Sequence, residues 1–167
     1  MKRFLKPALI IALGLFYLFS GLIKIIDIDD FLYLIRSYNI KAFIYLAPIV
    51  PVIEIILAYF LIFRINQKKA LAFSVILLIG FTLIFSYGHF FLKIDDCGCF
   101  GGVDFLKMSP FMFYLRNGLL LFLSYFLYDS VKPQKTKTTS VHYALISILA
   151  IFVLSVVWLN TDFKQYT

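Results

Sequence analysis

The stretch Ala70–Leu92, which reads ALAFSVILLIGFTLIFSYGHFFL, decides what kind of protein this chain forms. It contains no aspartate, glutamate, lysine or arginine. A helix that crosses the hydrocarbon core of a bilayer needs about 20 mostly apolar residues, because lipid offers no hydrogen-bond partners to its backbone. The stretch therefore predicts a membrane-spanning helix.

The rest of the chain has the same character. Of its 167 residues, 62% are hydrophobic and only 15% are charged, whereas soluble domains average about 45–50% and about 25%. A soluble core of this size could not bury that much apolar surface. Four more apolar stretches are long enough to span a bilayer, namely Pro7–Ile26, Phe43–Phe63, Pro110–Tyr128 and Val141–Leu159.

These five stretches predict an all-α, polytopic membrane protein. The expected parts are an antiparallel four-helix transmembrane bundle in residues 1–128, a polar cytoplasmic linker in 129–140, and a fifth C-terminal transmembrane helix with a short tail in 141–167. The connection after the first span is long enough for a short interfacial helix, with Phe31 and Leu32 on its apolar side.

Lysine and arginine are distributed unevenly between the two sides of these spans. The N-terminus and the second and fourth connections carry nine of them, and the opposite side carries six. By the positive-inside rule, the N-terminus is cytoplasmic and the first and third connections face outward. The net charge of +7 is spread over the ends of apolar runs, so we expect a lipid environment and no nucleic-acid partner.

The third connection contains the densest chemical signal, DDCGCFGG at residues 95–102. A disulfide between Cys97 and Cys99 would close a small, strained ring, and strain makes such a bond easier to reduce and to exchange. Glycine permits the sharp turns that bring two sulfurs so close together in sequence into contact. The residues that would shape this loop are Gly98, Phe100, Gly101 and Gly102.

The cysteine pair has two other interpretations. Two cysteines in an oxidising compartment usually form a static bridge. A metal site would need further ligands, and His89 is the only histidine nearby in the sequence, so we predict no metal site. His89 and the neighbouring lysines could instead offset Asp95 and Asp96, which disfavour a thiolate at Cys97.

Polar residues inside the spans need an explanation, because each charge at mid-bilayer costs at least about 2.5–3.5 kcal/mol. Glu54 lies near the middle of the second span, and Arg116 and Asn117 lie about two turns into the fourth. Since both spans run inward, we expect the long Arg116 side chain to approach Glu54. The two would form either a structural ion pair or a site for proton handling or ligand binding.

Helical spacing places further polar residues on common faces. These faces comprise Gly14, Tyr17, Gly21 and Lys24 in the first span, and Thr82, Ser86, His89 and Lys93 in the third. We expect the small residues to serve helix packing. Lys24 and His89 lie at the outward ends of their spans, at the level of the cysteine loop. His142 has no such company, and we expect it at the membrane interface.

Four motifs give the chain a resemblance to a known family. They are Ser20-Gly21-x-x-Lys24, Pro51-x-x-Glu54, Cys97-Gly98-Cys99-Phe100-Gly101 and Arg116-Asn117. Together these motifs cover residues 7–128. Through them the chain resembles the methylamine-utilisation MauE family, which belongs to the wider DoxX-like membrane proteins. The resemblance implies a four-helix bundle in the bacterial inner membrane, with the cysteine loop in the periplasm. It also implies a part in disulfide formation during methylamine dehydrogenase maturation, beside a thioredoxin-like partner.

The leading hypothesis is therefore thiol–disulfide exchange through Cys97 and Cys99 with a periplasmic thioredoxin-like protein. The residues that would tune thiolate formation or pass protons are His89, Lys24 and Arg116, with Glu54 as their buried counter-charge. If the oxidant is a quinone, it must lie close to the loop, between the outward ends of the helices.

Two other functions fit the same residues. The chain could be a small-molecule transporter or a ligand-binding membrane module, with Glu54 and Arg116 as its site and the cysteines as a static bridge. It could also be an assembly subunit whose fifth helix docks a partner protein.

Overall fold

The computed structural model describes residues 2–39, 41–94, 109–132 and 140–160. Every regular element in these ranges is a helix. The helices are α1 (Lys2–Ile26), α2 (Ile28–Ser37), α3 (Lys41–Leu46), α4 (Ile49–Ile62), α5 (Gln67–Leu92), α6 (Pro110–Ser130) and α7 (Ser140–Asn160). The segment 95–108, which carries both cysteines, lies outside the described residues.

Four helical stretches are long and apolar enough to cross a membrane: Leu5–Ile26, Phe43–Ile62, Gln67–Leu92 and Pro110–Ser130. They confirm the predicted all-α polytopic fold with four spans. The apolar part of α7, Ala144–Trp158, is shorter than these four. That α7 also crosses the bilayer therefore stays a prediction.

The second span is broken into two helices. After α3, the chain turns at Ala47 and Pro48 before α4 begins, and the Val50 amide donates to the Ala47 carbonyl at 3.1 Å. Proline cannot donate a backbone hydrogen bond and its ring clashes with the preceding turn, which explains the interruption at Pro48. The break lies near the start of the second span, and Glu54 follows it six residues after Pro48.

Helices α1 and α4 pack antiparallel at very close range. A Cβ atom on Gly21 would lie 3.0 Å from the Pro51 carbonyl oxygen, and one on Gly14 would lie 3.3 Å from the Ala58 carbonyl oxygen. Glycine, which has no Cβ atom, lets the two helix backbones approach this closely. The packing role expected of Gly14 and Gly21 is confirmed.

A chain of hydroxyl groups joins α1, α5 and α6 inside the bundle. The Tyr17 hydroxyl lies 2.7 Å from Ser74 Oγ, which lies 3.0 Å from Ser124 Oγ. All three side chains are buried. In lipid such groups gain from bonding one another across helices, because no water is present to satisfy them. Buried leucines of the same helices surround this cluster.

The short helix expected after the first span is α2. Its apolar residues Phe31 and Leu32 are buried, as predicted, and Arg36 on the other side is exposed. The following residue Tyr38 packs its ring on Gly88 of α5, where an added Cβ would lie 2.6 Å from the ring. The α2–α3 corner is thereby fixed to the last turns of α5.

Helix α7 packs against the rest of the chain through a small apolar cluster. Val153 and Val157 are buried in this cluster together with Val52 and Ile55 of α4. These contacts place the C-terminal helix beside α4.

Candidate functional site

The centre of the described bundle holds a buried ion pair between α1 and α4. Lys24 Nζ lies 2.9 Å from each carboxylate oxygen of Glu54, and the two side chains are only 3% and 1% exposed. Lys24 also donates to Ser20 Oγ at 2.7 Å, and the Ser20 hydroxyl donates to Glu54 Oε1 at 3.3 Å. The three ammonium hydrogens and the carboxylate thus satisfy one another away from water.

The backbone contact at Gly21 explains why this pair forms. Gly21 lies against the Pro51 carbonyl and beside Glu54, and the Lys24 side chain, one turn further along α1, reaches back along the helix to the Glu54 carboxylate. From the sequence we expected Arg116 to approach Glu54, but the ion pair seen here is made by Lys24. The expectation rested on span direction, which gives no information about which helices are neighbours.

Arg116 lies on the opposite wall of the same region. Its Nη2 donates to Asn117 Oδ1 at 3.2 Å, and Asn117 Nδ2 donates to Thr82 Oγ1 of α5 at 3.1 Å. The guanidinium lies 5.8 Å from the ring centre of Phe16 and 5.3 Å from that of Phe113, within the range of cation–π attraction. Asn117 is buried and Arg116 is half-buried.

A pocket of about 720 Å³, its open mouth included, separates the two polar walls. Helices α1, α2, α4, α5 and α6 all contribute to its lining. Lys24, Glu54 and Ser20 lie on one side, and Arg116 and Asn117 on the other. The aromatic residues of the lining are Phe16, Tyr17, Phe31, Tyr38, Phe81, Phe85 and Phe113. The structure thus brings four of the predicted polar residues around one mostly apolar space.

His89 lies one turn beyond the pocket rather than in its lining. Its ring is half-buried and stacks on Phe85, with ring centres 5.9 Å apart and planes 9° from parallel. Phe85 in turn contacts Phe113 of α6 at 4.0 Å between ring centres. His89 is therefore connected to the pocket through one aromatic side chain that belongs to it.

The described residues on either side of the cysteine segment lie at the same end of the bundle. At the end of α5, Lys93 has a left-handed backbone and the Ile94 amide donates to the Gly88 carbonyl at 3.0 Å. At the start of α6, Ser109 Oγ accepts from the Met112 amide at 3.4 Å and caps the helix. The predicted site residues outside the described part of the chain are Cys97, Gly98, Cys99, Phe100, Gly101 and Gly102.

Sequence reasoning missed two contacts that shape this region. Tyr38 packs under α5 at Gly88, and nothing in the sequence around residue 38 indicates that neighbour. His142, which was expected at the interface without polar company, accepts or donates a 2.9 Å hydrogen bond with the Tyr59 hydroxyl through Nδ1. Both contacts join elements far apart in the chain, so local spacing carries no signal for them.

The comparisons with known proteins identify one family. The family model described as Methylamine utilisation protein MauE matches residues 2–129. The match begins with α1 and ends in the last turn of α6, so it includes all four candidate spans and leaves α7 outside. Neither the curated proteins nor the solved structures give a significant match to this chain.

Proposed function

The chain belongs to the family of the methylamine utilisation protein MauE, and from this premise we propose that it is an inner-membrane thiol–disulfide exchange protein. The family resemblance stated from the sequence is confirmed, and the chain is a multi-pass membrane protein. The wider DoxX-like relationship stays a prediction. The observation that supports the proposed exchange is the Cys97-Gly98-Cys99 motif, which lies in the sequence between α5 and α6, two helices that line the pocket.

The proposed reaction is an exchange between two pairs of sulfurs. A thiolate of a thioredoxin-like partner attacks the Cys97–Cys99 disulfide and forms a mixed disulfide, releasing one thiolate of this chain. The second partner thiol then resolves the mixed disulfide. The partner leaves as a disulfide, and Cys97 and Cys99 remain as a dithiol that has gained two electrons and two protons.

The described residues divide the supporting roles. Lys24 is held by Glu54 and Ser20 inside the bundle, so its charge is already compensated. Of His89, Lys24 and Arg116, His89 is the closest to the cysteines along the chain. Its stacking on Phe85 fixes the orientation of the imidazole ring. We therefore assign the influence on thiolate formation to His89, and the stabilisation of the contact between α1 and α4 to the Lys24–Glu54 pair.

A mixed-disulfide trap tests the exchange. In the Cys99→Ser variant, the Cys97 thiolate should attack the disulfide of an oxidised thioredoxin-like partner and hold it as a covalent adduct that reducing agent releases, because the variant has no second thiol to complete the exchange. The adduct is detected on a non-reducing gel and identified by mass spectrometry. The Cys97→Ser/Cys99→Ser variant is the control and should give none. If Cys99→Ser and Cys97→Ser both fail to form an adduct in the native host, the exchange proposal is wrong.

The proposed orientation places the cysteines in the periplasm and the α4–α5 turn in the cytoplasm. A membrane-impermeant maleimide should label Cys97 and Cys99 in intact, mildly reduced cells. Lys69→Cys, made at an exposed position of a variant without Cys97 and Cys99, reports on the cytoplasmic side. It should be labelled only after the cells are lysed. In the same native setting, loss of both cysteines should impair maturation of a disulfide-containing client such as methylamine dehydrogenase.

A second function is favoured by the pocket itself. A buried ion pair facing Arg116 across an apolar space is also suited to a transporter or a ligand-binding module. This alternative predicts that Glu54→Gln abolishes function while the Cys97→Ser/Cys99→Ser variant retains it. The exchange function predicts that the double cysteine variant is inactive.

A further inference from the structure

We propose that the pocket between α1, α2, α4, α5 and α6 binds the ring of a quinone, which accepts the electrons released when Cys97 and Cys99 re-form their disulfide. This inference rests on the proposed exchange function, because the dithiol left by exchange must be oxidised again. The pocket adds to that function a place where a lipid-soluble acceptor can bind close to the cysteine segment.

The position of the pocket supports this role. Phe85 near the end of α5 and Phe113 near the start of α6 are in contact, and both line the pocket. The cysteine segment joins those same two helices, so the pocket lies at the end of the bundle to which the segment is attached. Ile84 lines the pocket and is also 41% exposed, so the mouth opens on the outer surface of the helices. A ligand dissolved in the bilayer can enter there.

The chemistry of the lining fits a planar conjugated ring with two carbonyl oxygens. Five phenylalanines line the space, and aromatic side chains stack on such rings or meet them edge-on. Arg116 and Asn117 provide N–H donors on one wall.

The charges of the lining favour a ligand whose oxygens gain electron density. Among the described residues of the lining, Lys24 and Glu54 form an ion pair, and Arg116 adds a second cation. A cation beside a carbonyl oxygen stabilises the negative charge that develops when the ring is reduced. A hydrocarbon chain would gain nothing from Arg116 or from the buried ion pair, which makes a lipid tail a poorer occupant.

The electrons and protons balance. Two thiols, Cys97 and Cys99, lose two electrons and two protons as their sulfur–sulfur bond forms. The quinone gains two electrons and two protons and leaves as the hydroquinone. Electrons thus pass from the partner dithiol to the cysteine pair and then to the quinone.

Binding of decylubiquinone to the purified full chain in lipid nanodiscs tests the proposal, with isothermal titration as the readout. Leu34 lines the pocket from α2 and is half-buried, so Leu34→Trp fills the space and should weaken binding at least tenfold. Tyr33 is its neighbour, 53% exposed and outside the lining, so Tyr33→Trp should bind as the parent does. Equal binding by the two variants overturns the proposal, because only partition into lipid would then be measured.

A second pair of variants keeps the test valid if Leu34→Trp does not fold. Ile84→Trp narrows the mouth of the pocket, whereas Leu83→Trp changes a neighbouring residue that is 65% exposed and outside the lining. Only Ile84→Trp should weaken binding at least tenfold. Displacement of decylubiquinone by palmitate at equal concentration would show an acyl-chain site and would also overturn the proposal.

The failure of this proposal can be separated from the failure of the exchange function. The Cys97→Ser/Cys99→Ser variant keeps the pocket and should bind decylubiquinone as tightly as the parent. A mixed-disulfide adduct without quinone binding overturns the pocket assignment and leaves the exchange intact. Quinone binding without any adduct overturns the exchange and leaves a quinone-binding membrane protein.

Discussion

Lys24 and Glu54 are 30 positions apart in the sequence, yet Lys24 Nζ lies 2.9 Å from both carboxylate oxygens of Glu54 in the interior of the bundle. With Ser20 as the third member, they form a closed set of hydrogen bonds between α1 and α4. Each charge would be costly in lipid without the other. We therefore expect a substitution that removes one member of this pair to lower the stability of the protein.

Removing one member of this pair should destabilise the protein strongly. Lys24→Met leaves Glu54 without its counter-ion, and we expect the free energy of unfolding to fall by about 3–5 kcal/mol. The double variant Lys24→Met/Glu54→Leu removes both charges and should recover most of that loss. Unfolding by SDS titration in mixed micelles measures both, with Lys69→Met as the exposed control. A single variant as stable as the parent would contradict a paired, buried state.

The close contact between α1 and α4 gives a second expectation. Gly21→Leu places a side chain where only 3.0 Å separates the would-be Cβ from the Pro51 carbonyl oxygen, so the helices must separate and the ion pair must open. Gly80→Leu is the matched control, because nothing lies within 4 Å of a Cβ at that position. In thermal unfolding, only Gly21→Leu should lower the transition temperature, by several degrees or more. Equal transition temperatures for Gly21→Leu and Gly80→Leu would contradict the close contact between α1 and α4 at Gly21.

The Tyr38–Gly88 contact should hold α2 in place. Gly88→Val drives the Tyr38 ring out of its position and should loosen the corner that follows α2. Trypsin cleavage after the exposed Arg36 then becomes several-fold faster, because local unfolding exposes the backbone. Gly118→Val, at a glycine with no neighbour within 4 Å, serves as the control. Unchanged cleavage in Gly88→Val would sink this expectation.

The hydroxyl cluster should contribute modestly to stability. Tyr17→Phe removes the bond to Ser74, but Ser74 keeps Ser124 as a partner. Interhelical hydrogen bonds in membranes average about 0.6 kcal/mol, so we expect a loss of about 0.5–1 kcal/mol. Tyr125→Phe, at a tyrosine that is 65% exposed, should change nothing. A loss above about 2 kcal/mol would mean that Ser74 is left without a partner after all.

His89 can be tested separately as a positioning residue for the thiolate. His89→Phe preserves an aromatic ring that can stack on Phe85 and removes the imidazole nitrogens. We expect unchanged stability and several-fold slower mixed-disulfide formation. His142→Phe alters a histidine that bonds Tyr59 instead, and it is the control. Identical rates of mixed-disulfide formation for the two variants would leave His89 with a packing role only.

Local sequence patterns predicted the fold well, because the bilayer limits what a long apolar stretch can do. Four of the five predicted spans coincide with helical stretches long enough to cross a membrane, although the second is divided between α3 and α4. The packing role of Gly21 was also predictable, since small residues on one helical face serve close approach. The interruption at Pro48 follows from the missing amide hydrogen of proline. Its exact form also depends on the hydrogen bond between the Val50 amide and the Ala47 carbonyl.

The pairing of side chains across helices was not predictable in the same way. Spacing placed Lys24 on a face with Gly21 but gave no information about which helix that face meets. Arg116 was chosen as the partner of Glu54 from span direction alone, whereas the structure pairs Glu54 with Lys24. Tyr59 and His142, separated by 83 positions, show the same difficulty. Such contacts depend on the order of helices around the bundle, which no single helix encodes.

The ring of Tyr38 lies against Gly88, and the carbonyl of Gly88 accepts the amide of Ile94. The last described turn before the sulfur-bearing segment is thus braced by a residue fifty positions before Gly88. Anyone who grafts that segment onto another helical scaffold, or builds a minimal chimera, would have to carry the corner at residues 37–39 along with it. A transplanted loop without that brace would lose its anchorage on one side.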